Sequence, residues 1–189
     1  MAQAILGNPK LRFIKGMFYM APPPPPPKPY VDLGLPSGTL WAKNNLGANS
    51  PEEQGNYYIW GATPNGETDG FMTPDIQGTQ YDIARCLLGN EWCLPNVDQY
   101  QELIDNCQFN CDDNGATIIG PNGNMIYMPP NPYNFFVEYV YMCSTSAEHA
   151  RLIDSNVYGF FLRKGQSPYM EFMSHLTNYL VRPIYVGNN

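Results

Sequence analysis

Six consecutive prolines, residues 22–27, constrain the fold of this chain more than any other feature of its sequence. Each proline ring fixes φ and removes a backbone N–H donor, so neither a helix nor a central strand can pass through the run. The whole segment, residues 22–29, is expected to form a polyproline II rod about 20–25 Å long. It divides the chain into an extended N-terminal arm, residues 1–21, and a domain, residues 30–189, and serves either as a plain linker or as a spacer.

The arm carries more large apolar side chains than a segment that stays in water would. One alternative is that it packs on its own domain. The other is that it docks into a different protein or into a second copy of the chain. This second alternative predicts an assembly anchor made of the larger apolar residues. They are Ile5, Leu6, Leu11, Phe13, Ile14, Phe18 and Tyr19.

Charge and hydropathy argue against several classes of function. The net charge is −7 and the ten basic residues are scattered, so phosphate contacts with nucleic acid are not expected. No run of apolar residues reaches the roughly 18 that a membrane span needs. Lys10, Arg12 and Lys15 interrupt the apolar residues of the arm, which is unlike a signal peptide. The sequence therefore predicts no nucleic-acid partner, no membrane span and no export signal.

The cysteine and histidine content gives no sign of an active site. The cysteines are odd in number, which favours reduced, mostly buried thiols; a disulfide between Cys107 and Cys111 is the alternative. His149 and His175 lie in no metal-ligand pattern, and no phosphate-binding loop or nucleophile elbow occurs. We therefore predict no enzymatic activity, no catalytic residue, no metal and no cofactor. The five cysteines are Cys86, Cys93, Cys107, Cys111 and Cys143.

Short strands and turns are predicted for most of the domain, because glycine, proline and tyrosine are abundant and only 14% of residues are charged. The strongest helix is Asn96–Cys107, with Asn96 as its N-cap, and Tyr81–Leu88 has a second helical pattern. A GPNGN turn between Ala116–Ile119 and Met125–Met128 predicts a hairpin. The fold class is therefore α+β with an antiparallel sheet. Further strands are expected at Tyr30–Leu33, Thr39–Ala42, Tyr57–Trp60, Tyr139–Ser144, Val157–Leu162, Met170–Met173 and Leu180–Val186.

Four blocks near the start of the domain match the pattern of one known family. They are a DLGLPSG turn at Asp32–Gly38, the pair Trp41-Ala42, an N-x-GA loop at Asn45–Ala48 and a Y-x-WG strand at Tyr58–Gly61. With these blocks the chain resembles the Fibrobacter-type major paralogous domain, which is common in proteins of Bacteroides-like bacteria. The resemblance covers about residues 30–186, essentially the whole domain.

Later blocks extend the resemblance to the end of the domain. The segments GPNGNMIYMPP, CSTSAEHARL and VRPIYV are similar to three further parts of the family pattern. Cys93 departs from it, since an arginine is usual there, and the usual glutamate lies near Gln99 or Gln101. The residues that hold the family's helix pattern are Ala84, Gly89, Trp92, Pro95 and Leu103.

The resemblance implies a C-type-lectin-like fold with a small twisted sheet, two helices and long loops, used for binding or surface display. Trp41, Trp60 and Trp92 belong to framework motifs and are expected in the core. The Glu-Pro-Asn and Trp-Asn-Asp motifs of calcium-dependent lectins do not occur, and Asp112–Asn114 offers only a weak set of oxygen ligands. The paired C-terminal cysteines of related sulfatase-activating enzymes are lacking too, because no cysteine follows Cys143.

Aromatic residues near predicted loops are the candidates for ligand binding. Their rings would stack on sugar rings or fill a pocket of a partner protein. The alternative is that they fill the core or an interface. The candidates are Tyr133, Phe135, Phe136, Tyr158 and Tyr169.

Two functions of different classes fit the sequence. The first is a virion surface protein of a tailed bacteriophage, a capsid decoration or head fibre that is assembled in the host cytoplasm. Its arm would bind other virion proteins of the capsid, and the protein is expected to form a homo-oligomer. Many displayed copies would strengthen weak contacts with host-surface glycans. The alternative is a bacterial cell-surface adhesin or fimbrial-type subunit, whose leader would lie upstream. Reduced thiols and the lack of an export signal favour the virion.

Overall fold

Fourteen short strands and two helices make up the part of the chain that the computed structural model describes, residues 11–14, 17–20, 28–68, 73–130, 138–147 and 156–187. The helices are α1 (Ile83–Leu88) and α2 (Val97–Asn106). The strands are β1 (Leu11–Ile14), β2 (Met17–Met20), β3 (Tyr30–Asp32), β4 (Leu40–Ala42), β5 (Tyr58–Ile59), β6 (Trp92–Cys93), β7 (Gln108–Asp112), β8 (Gly115–Ile119), β9 (Met125–Met128), β10 (Glu138–Ser146), β11 (Asn156–Arg163), β12 (Tyr169–Ser174), β13 (Asn178–Tyr179) and β14 (Ile184–Tyr185).

The strands form five small sheets, and neighbouring strands run antiparallel in each. The largest sheet has the order β3-β4-β14-β6. Two sheets have three strands, β7-β8-β9 and β10-β11-β12, and two have two strands, β1-β2 and β13-β5. Small antiparallel sheets with two helices make an α+β architecture, which confirms the predicted fold class at that level. The predicted hairpin around GPNGN is also confirmed, as β8 and β9.

Helix α2 begins at the predicted cap. The Asn96 side chain accepts a hydrogen bond from the Gln99 N–H at 3.0 Å, and the Gln99 side chain accepts one from the Asn96 N–H at 2.9 Å. This reciprocal capping box satisfies two N–H groups that a helix start otherwise leaves without acceptors. Tyr100 and Leu103 lie on the buried face. Among the described residues no helix is both long enough and apolar enough to cross a membrane.

Helix α1 begins two residues later than predicted, because Asp82 is its cap. The buried carboxylate accepts hydrogen bonds from the N–H groups of Ala84 and Arg85 in the first turn. It also accepts from Gly78 at 2.8 Å and from Leu94 at 2.9 Å. Burial raises the pKa of Asp82, while the four backbone donors act in the opposite direction. One side chain thus ties the preceding loop, the helix and the end of β6 together.

The sheet β10-β11-β12 separates two apolar clusters, since alternate residues of its strands point to opposite sides. On one side Tyr100 stacks on Phe160, with ring centroids 4.7 Å apart, and contacts Trp41 at 5.4 Å. On the other side Trp60 donates its indole N–H to the Cys143 carbonyl at 3.0 Å. Trp41 and Trp60 therefore lie in the core, where the resemblance placed them.

The C-terminal strand predicted over Leu180–Val186 is shorter in the structure. Only Ile184–Tyr185 of this segment forms a strand, β14, and β13 lies before the segment, at Asn178–Tyr179. Pro183 has no N–H to give to a sheet, and Arg182 turns its side chain into the protein interior, where it is fully buried. Strands β1, β2, β6, β7 and β13 were not predicted, and β7 follows α2 directly.

All five cysteines are free thiols, and the Cys107–Cys111 disulfide alternative is wrong. Four residues of extended chain separate two α-carbons by about 13 Å, whereas a disulfide needs less than about 7 Å. The expectation of mostly buried thiols is wrong as well. Cys93 and Cys143 are buried, but Cys107 and Cys111 are half-buried and Cys86 is exposed.

Part of the arm, predicted to be extended, folds back on itself as a hairpin. β1 pairs with β2, with Leu11 opposite Met20 and Phe13 opposite Phe18. Among the described residues these two strands pair only with each other. The predicted anchor residues in the hairpin are Leu11, Phe13, Ile14, Phe18 and Tyr19. Ile5, Leu6 and the prolines 22–27 lie outside the described residues.

The order in which the thiols of the native protein are modified should follow their burial. At about pH 8, iodoacetamide is expected to modify Cys86 before Cys93 and Cys143, because a thiol must reach solvent and ionise to react. Burial raises the pKa of Cys93 to about 11 and of Cys143 to about 12. Mass spectrometry of modified peptides over time measures the order, with urea-unfolded protein as the control in which all five react. Native Cys143 reacting as fast as Cys86 would contradict this packing.

Candidate functional site

The two predicted ligand-binding aromatics that the structure describes do not share a surface. Tyr158 on β11 lies opposite Phe172 on β12, with ring centroids 5.0 Å apart. Tyr169 on β12 stacks on Phe161 of β11 at 5.3 Å. Tyr158 and Phe161 are three positions apart on one strand, so the two aromatic pairs lie on opposite faces of the sheet. The other three candidates, Tyr133, Phe135 and Phe136, lie outside the described residues.

One carboxylate oxygen of each aspartate in the Asp112–Asn114 turn has a partner within the protein. Asp112 Oδ1 accepts a hydrogen bond from the Asn114 N–H at 2.8 Å, and Asp113 Oδ2 lies 2.5 Å from Lys164 Nζ. In the described ranges, no three His, Cys, Asp or Glu side chains are grouped so that they could hold a metal ion. The turn is therefore a structural one.

A cleft of about 360 Å³ opens where the domain begins, and it is the candidate functional site. Lys28, Lys43 and Asn44 line its polar part. The apolar wall of the cleft, as we call it below, is formed by four residues. They are Pro29, Leu88, Trp92 and Pro183. The cleft thus combines cationic and amide groups with an apolar surface, a mixture typical of ligand sites.

Backbone hydrogen bonds join distant segments of the chain around the cleft. The Lys43 N–H donates to the Pro29 carbonyl at 3.1 Å, and the Ala42 N–H donates to the Pro183 carbonyl at 2.9 Å. In the loop that follows β4, the Leu46 N–H donates to the Val181 carbonyl at 2.9 Å. The end of β4 is therefore fixed both to the start of the domain and to the segment before β14. Lys28 and Lys43, on either side of the bond between Pro29 and Lys43, both line the cleft.

Arg182 supports the cleft from the protein interior. Its Nη1 donates to the carbonyls of Ala42, at 3.1 Å, and of Lys43, while Nη2 donates to the Tyr127 carbonyl at 2.6 Å. The side chain is fully buried. Burial lowers the pKa of its guanidinium, and the contact with the Tyr141 hydroxyl acts in the opposite direction. No carboxylate of the described residues forms an ion pair with it. Among the described residues, the positive charge of Arg182 beneath the cleft is therefore balanced by backbone carbonyl dipoles and not by a carboxylate.

Aromatic rings cover the outer face of the four-stranded sheet beside the cleft. Tyr30 stacks on Tyr185, with centroids 4.4 Å apart, and Tyr185 meets the edge of Trp92 at 5.2 Å. Lys28 Nζ lies 5.5 Å from the centroid of the Tyr30 ring, within the range of a cation–π contact. Trp92 is therefore buried on this outer face, against Tyr185, and not in the two inner clusters.

The chemical groups of the cleft are suited to binding. Its lining includes ammonium, amide and apolar groups, and none of the lining residues carries a carboxylate, imidazole, hydroxyl or thiol. General acid–base and nucleophilic catalysis most often use those four groups, and lysine amines, which the cleft has, serve in some enzymes as well. Comparison of the chain with family models, with curated proteins and with solved structures gave no match. The geometry of the described residues is therefore the basis for a functional proposal.

Sequence reasoning missed this cleft because four separate segments form it. The lining residues come from the end of the spacer, the loop after β4, the end of α1 with β6, and the segment before β14. The available signal was Lys28 and Lys43, two of only ten basic residues in an acidic chain. Their closeness follows from the pairing of β3 with β4, which no local pattern specifies.

Replacing Arg182 by lysine should destabilise the domain although it keeps the charge. A lysine ammonium lacks the planar fork that reaches three carbonyls at once, so at least one buried acceptor loses its donor. We expect the free energy of unfolding to fall by about 1–3 kcal/mol, measured by urea denaturation. Arg85→Lys, on the half-buried side of α1, is the control and should stay within about 0.5 kcal/mol of the original chain. Equal stability of Arg182→Lys and the original chain would contradict this role.

Proposed function

We propose that this chain is a non-enzymatic virion surface protein of a tailed bacteriophage, a capsid decoration or head fibre. Its arm anchors it to the particle and its domain is displayed outward. The observation that carries the proposal is the hairpin of β1 and β2, which is apolar in sequence and has no other strand partner among the described residues.

The hairpin has physical reasons to need a partner. A two-stranded hairpin is marginally stable by itself in water. Among the residues that the structure describes, nothing pairs with the outer edge of either strand, and such an edge can accept a strand from another chain. An anchor formed by pairing with a capsid protein, or with further copies of this chain, satisfies the free backbone groups and buries apolar side chains. The proline run then serves as the spacer between the anchor and the displayed domain.

We also propose that the displayed domain has the C-type-lectin-like fold of the Fibrobacter-type major paralogous family. Contacts between the motif blocks support this proposal. Asn122 and Asn124 of the GPNGN turn donate to the Asp32 carbonyl, at the start of the DLGLPSG turn, at 3.0 and 2.8 Å. Arg182 of the VRP block donates to the Ala42 carbonyl of the Trp-Ala block. Residues of a shared pattern that bond to one another are expected to define a common framework.

The displayed domain would serve attachment to host-surface glycans, and the cleft is the site that we assign to this contact. A single cleft of this size makes few contacts with a ligand, so one copy of the domain binds its ligand weakly. Many copies on one particle convert a weak contact into strong attachment through effective concentration. Display on a particle therefore fits a small site.

The alternative is a bacterial cell-surface adhesin or fimbrial-type subunit. The observation that favours it is the same pair of free hairpin edges, because such subunits can join by strand addition. An antibody against the domain would separate the two functions. It should label purified virions in the first case and uninfected cells in the second.

The anchor makes a prediction about mass in solution. Phe13 and Phe18 face each other across the hairpin, so the double variant Phe13→Asp/Phe18→Asp places two like charges opposite each other and opposes both pairing and docking. The unchanged chain should form a species well above 21.3 kDa, and the double variant a monomer of 21.3 kDa, by light scattering. Phe172→Asp is the control, since Phe172 is half-exposed on the edge strand β12, and it should leave the mass unchanged. An unchanged chain that is monomeric would contradict an anchor formed between copies of this chain.

A further inference from the structure

The rim of the cleft concentrates positive charge. Lys28 and Lys43 both line it, and the bond from the Lys43 N–H to the Pro29 carbonyl holds their backbones together. None of the lining residues is acidic, although 17 acidic residues outnumber ten basic ones in the chain. An anion in the cleft therefore meets two ammonium groups and no lining carboxylate that would repel it.

Arg182 adds a third positive charge beneath the cleft. Its guanidinium donates to the carbonyls of Ala42 and Lys43, and both of these residues line the cleft. Among the described residues no carboxylate pairs with it, and its Nε–H has no acceptor. Solvent screens a buried charge less than an exposed one, so its field reinforces that of the two lysines.

The apolar wall gives the cleft a second kind of contact. Leu88, at the end of α1, exposes 46% of its surface beside the buried indole of Trp92. Exposed apolar surface next to polar groups is typical of a ligand site. On the polar side, the carboxamide of Asn44 can both donate and accept hydrogen bonds.

We infer that the cleft binds an acidic sugar, a pyranose ring that carries a carboxylate. The carboxylate pairs with Lys28 and Lys43, the C–H face of the ring packs on Leu88 and Trp92, and Asn44 bonds to ring hydroxyls. The volume of about 360 Å³ is near the lower end for ligand sites, which suits one terminal sugar. This inference rests on the proposed display function and gives its glycan a chemical class.

Two other anions fit the cleft less well. A nucleic acid needs many phosphate contacts, and a chain of net charge −7 with two lysines at one site does not supply them. An inorganic anion pairs with the lysines but makes no use of the apolar wall. The sugar ligand uses both parts of the cleft.

The test uses the full chain and defined sugars. D-glucuronate, D-galacturonate and N-acetylneuraminate are titrated against the protein by NMR, with glucose and galactose as neutral counterparts and inorganic phosphate as the bare anion. At least one acidic sugar should bind, and its affinity should fall as salt is raised. The neutral sugars and phosphate should bind at least about tenfold more weakly, since each lacks one of the two contacts.

Variants locate the site. The double variant Lys28→Gln/Lys43→Gln should lose about tenfold or more in affinity for the acidic sugar. Lys164→Gln is the matched control and should bind as the original chain does, because Lys164 pairs with Asp113 away from the cleft. Leu88→Ala should weaken sugar binding and leave phosphate binding unchanged. Thermal unfolding of each variant checks that it is folded.

Four results would overturn the inference: no binding of any acidic sugar, equal binding of acidic and neutral sugars, phosphate binding as tightly as the best acidic sugar, or full affinity in the double lysine variant. None of these results bears on the anchor, because the mass of the Phe13→Asp/Phe18→Asp variant reports on that separately. A failed sugar titration with an oligomeric chain would therefore reject the ligand and keep the display function.

Discussion

A guanidinium buried inside the domain, that of Arg182, joins three segments that are far apart in sequence. It donates to the carbonyls of Ala42 and Lys43 at the end of β4 and of Tyr127 in β9. Removing a charge from water costs several kcal/mol, and hydrogen bonds to backbone dipoles must offset this cost. The Pro183 carbonyl, next to Arg182, accepts the Ala42 N–H and continues the pairing of β4 with β14 by one residue. The cleft lies where these segments meet, since Ala42, Lys43 and Pro183 all line it.

Features whose determinants are local could be predicted from the sequence. Helix α2 was predicted because its apolar period and its cap lie within a dozen residues, and the capping box of Asn96 and Gln99 accounts for its first residue. The hairpin of β8 and β9 was predicted because GPNGN specifies a turn between two apolar runs. The α+β class followed from these elements. A local hydrogen bond or turn fixes each of these elements, so they can be predicted without knowledge of their tertiary contacts.

Features set by distant contacts could not be predicted in this way. The apolar run Leu180–Val186 predicts one strand, but only Ile184–Tyr185 forms one, and Arg182 within the run is buried. Strand β7, Gln108–Asp112, is a different case, because its alternation of polar and apolar residues is a local strand pattern that was missed directly after a helix. Tyr158 and Tyr169 were both candidates for ligand binding, but the register of β11 and β12 puts them on opposite faces. The cleft is a further case, because four segments form it.

Amide hydrogen exchange of the full chain at several protein concentrations tests the central claim, that the arm is an anchor for assembly, most directly. If β1 and β2 pair with another chain, their amides should become more protected as concentration rises, by mass action. Core amides of β10 and β11, which bury both faces of their sheet, should exchange equally slowly at every concentration. Protection of residues 11–20 that rises with concentration is the result we predict. Protection that is high and the same at all concentrations would mean that the arm packs on its own domain, and would contradict an anchor formed between copies of this chain.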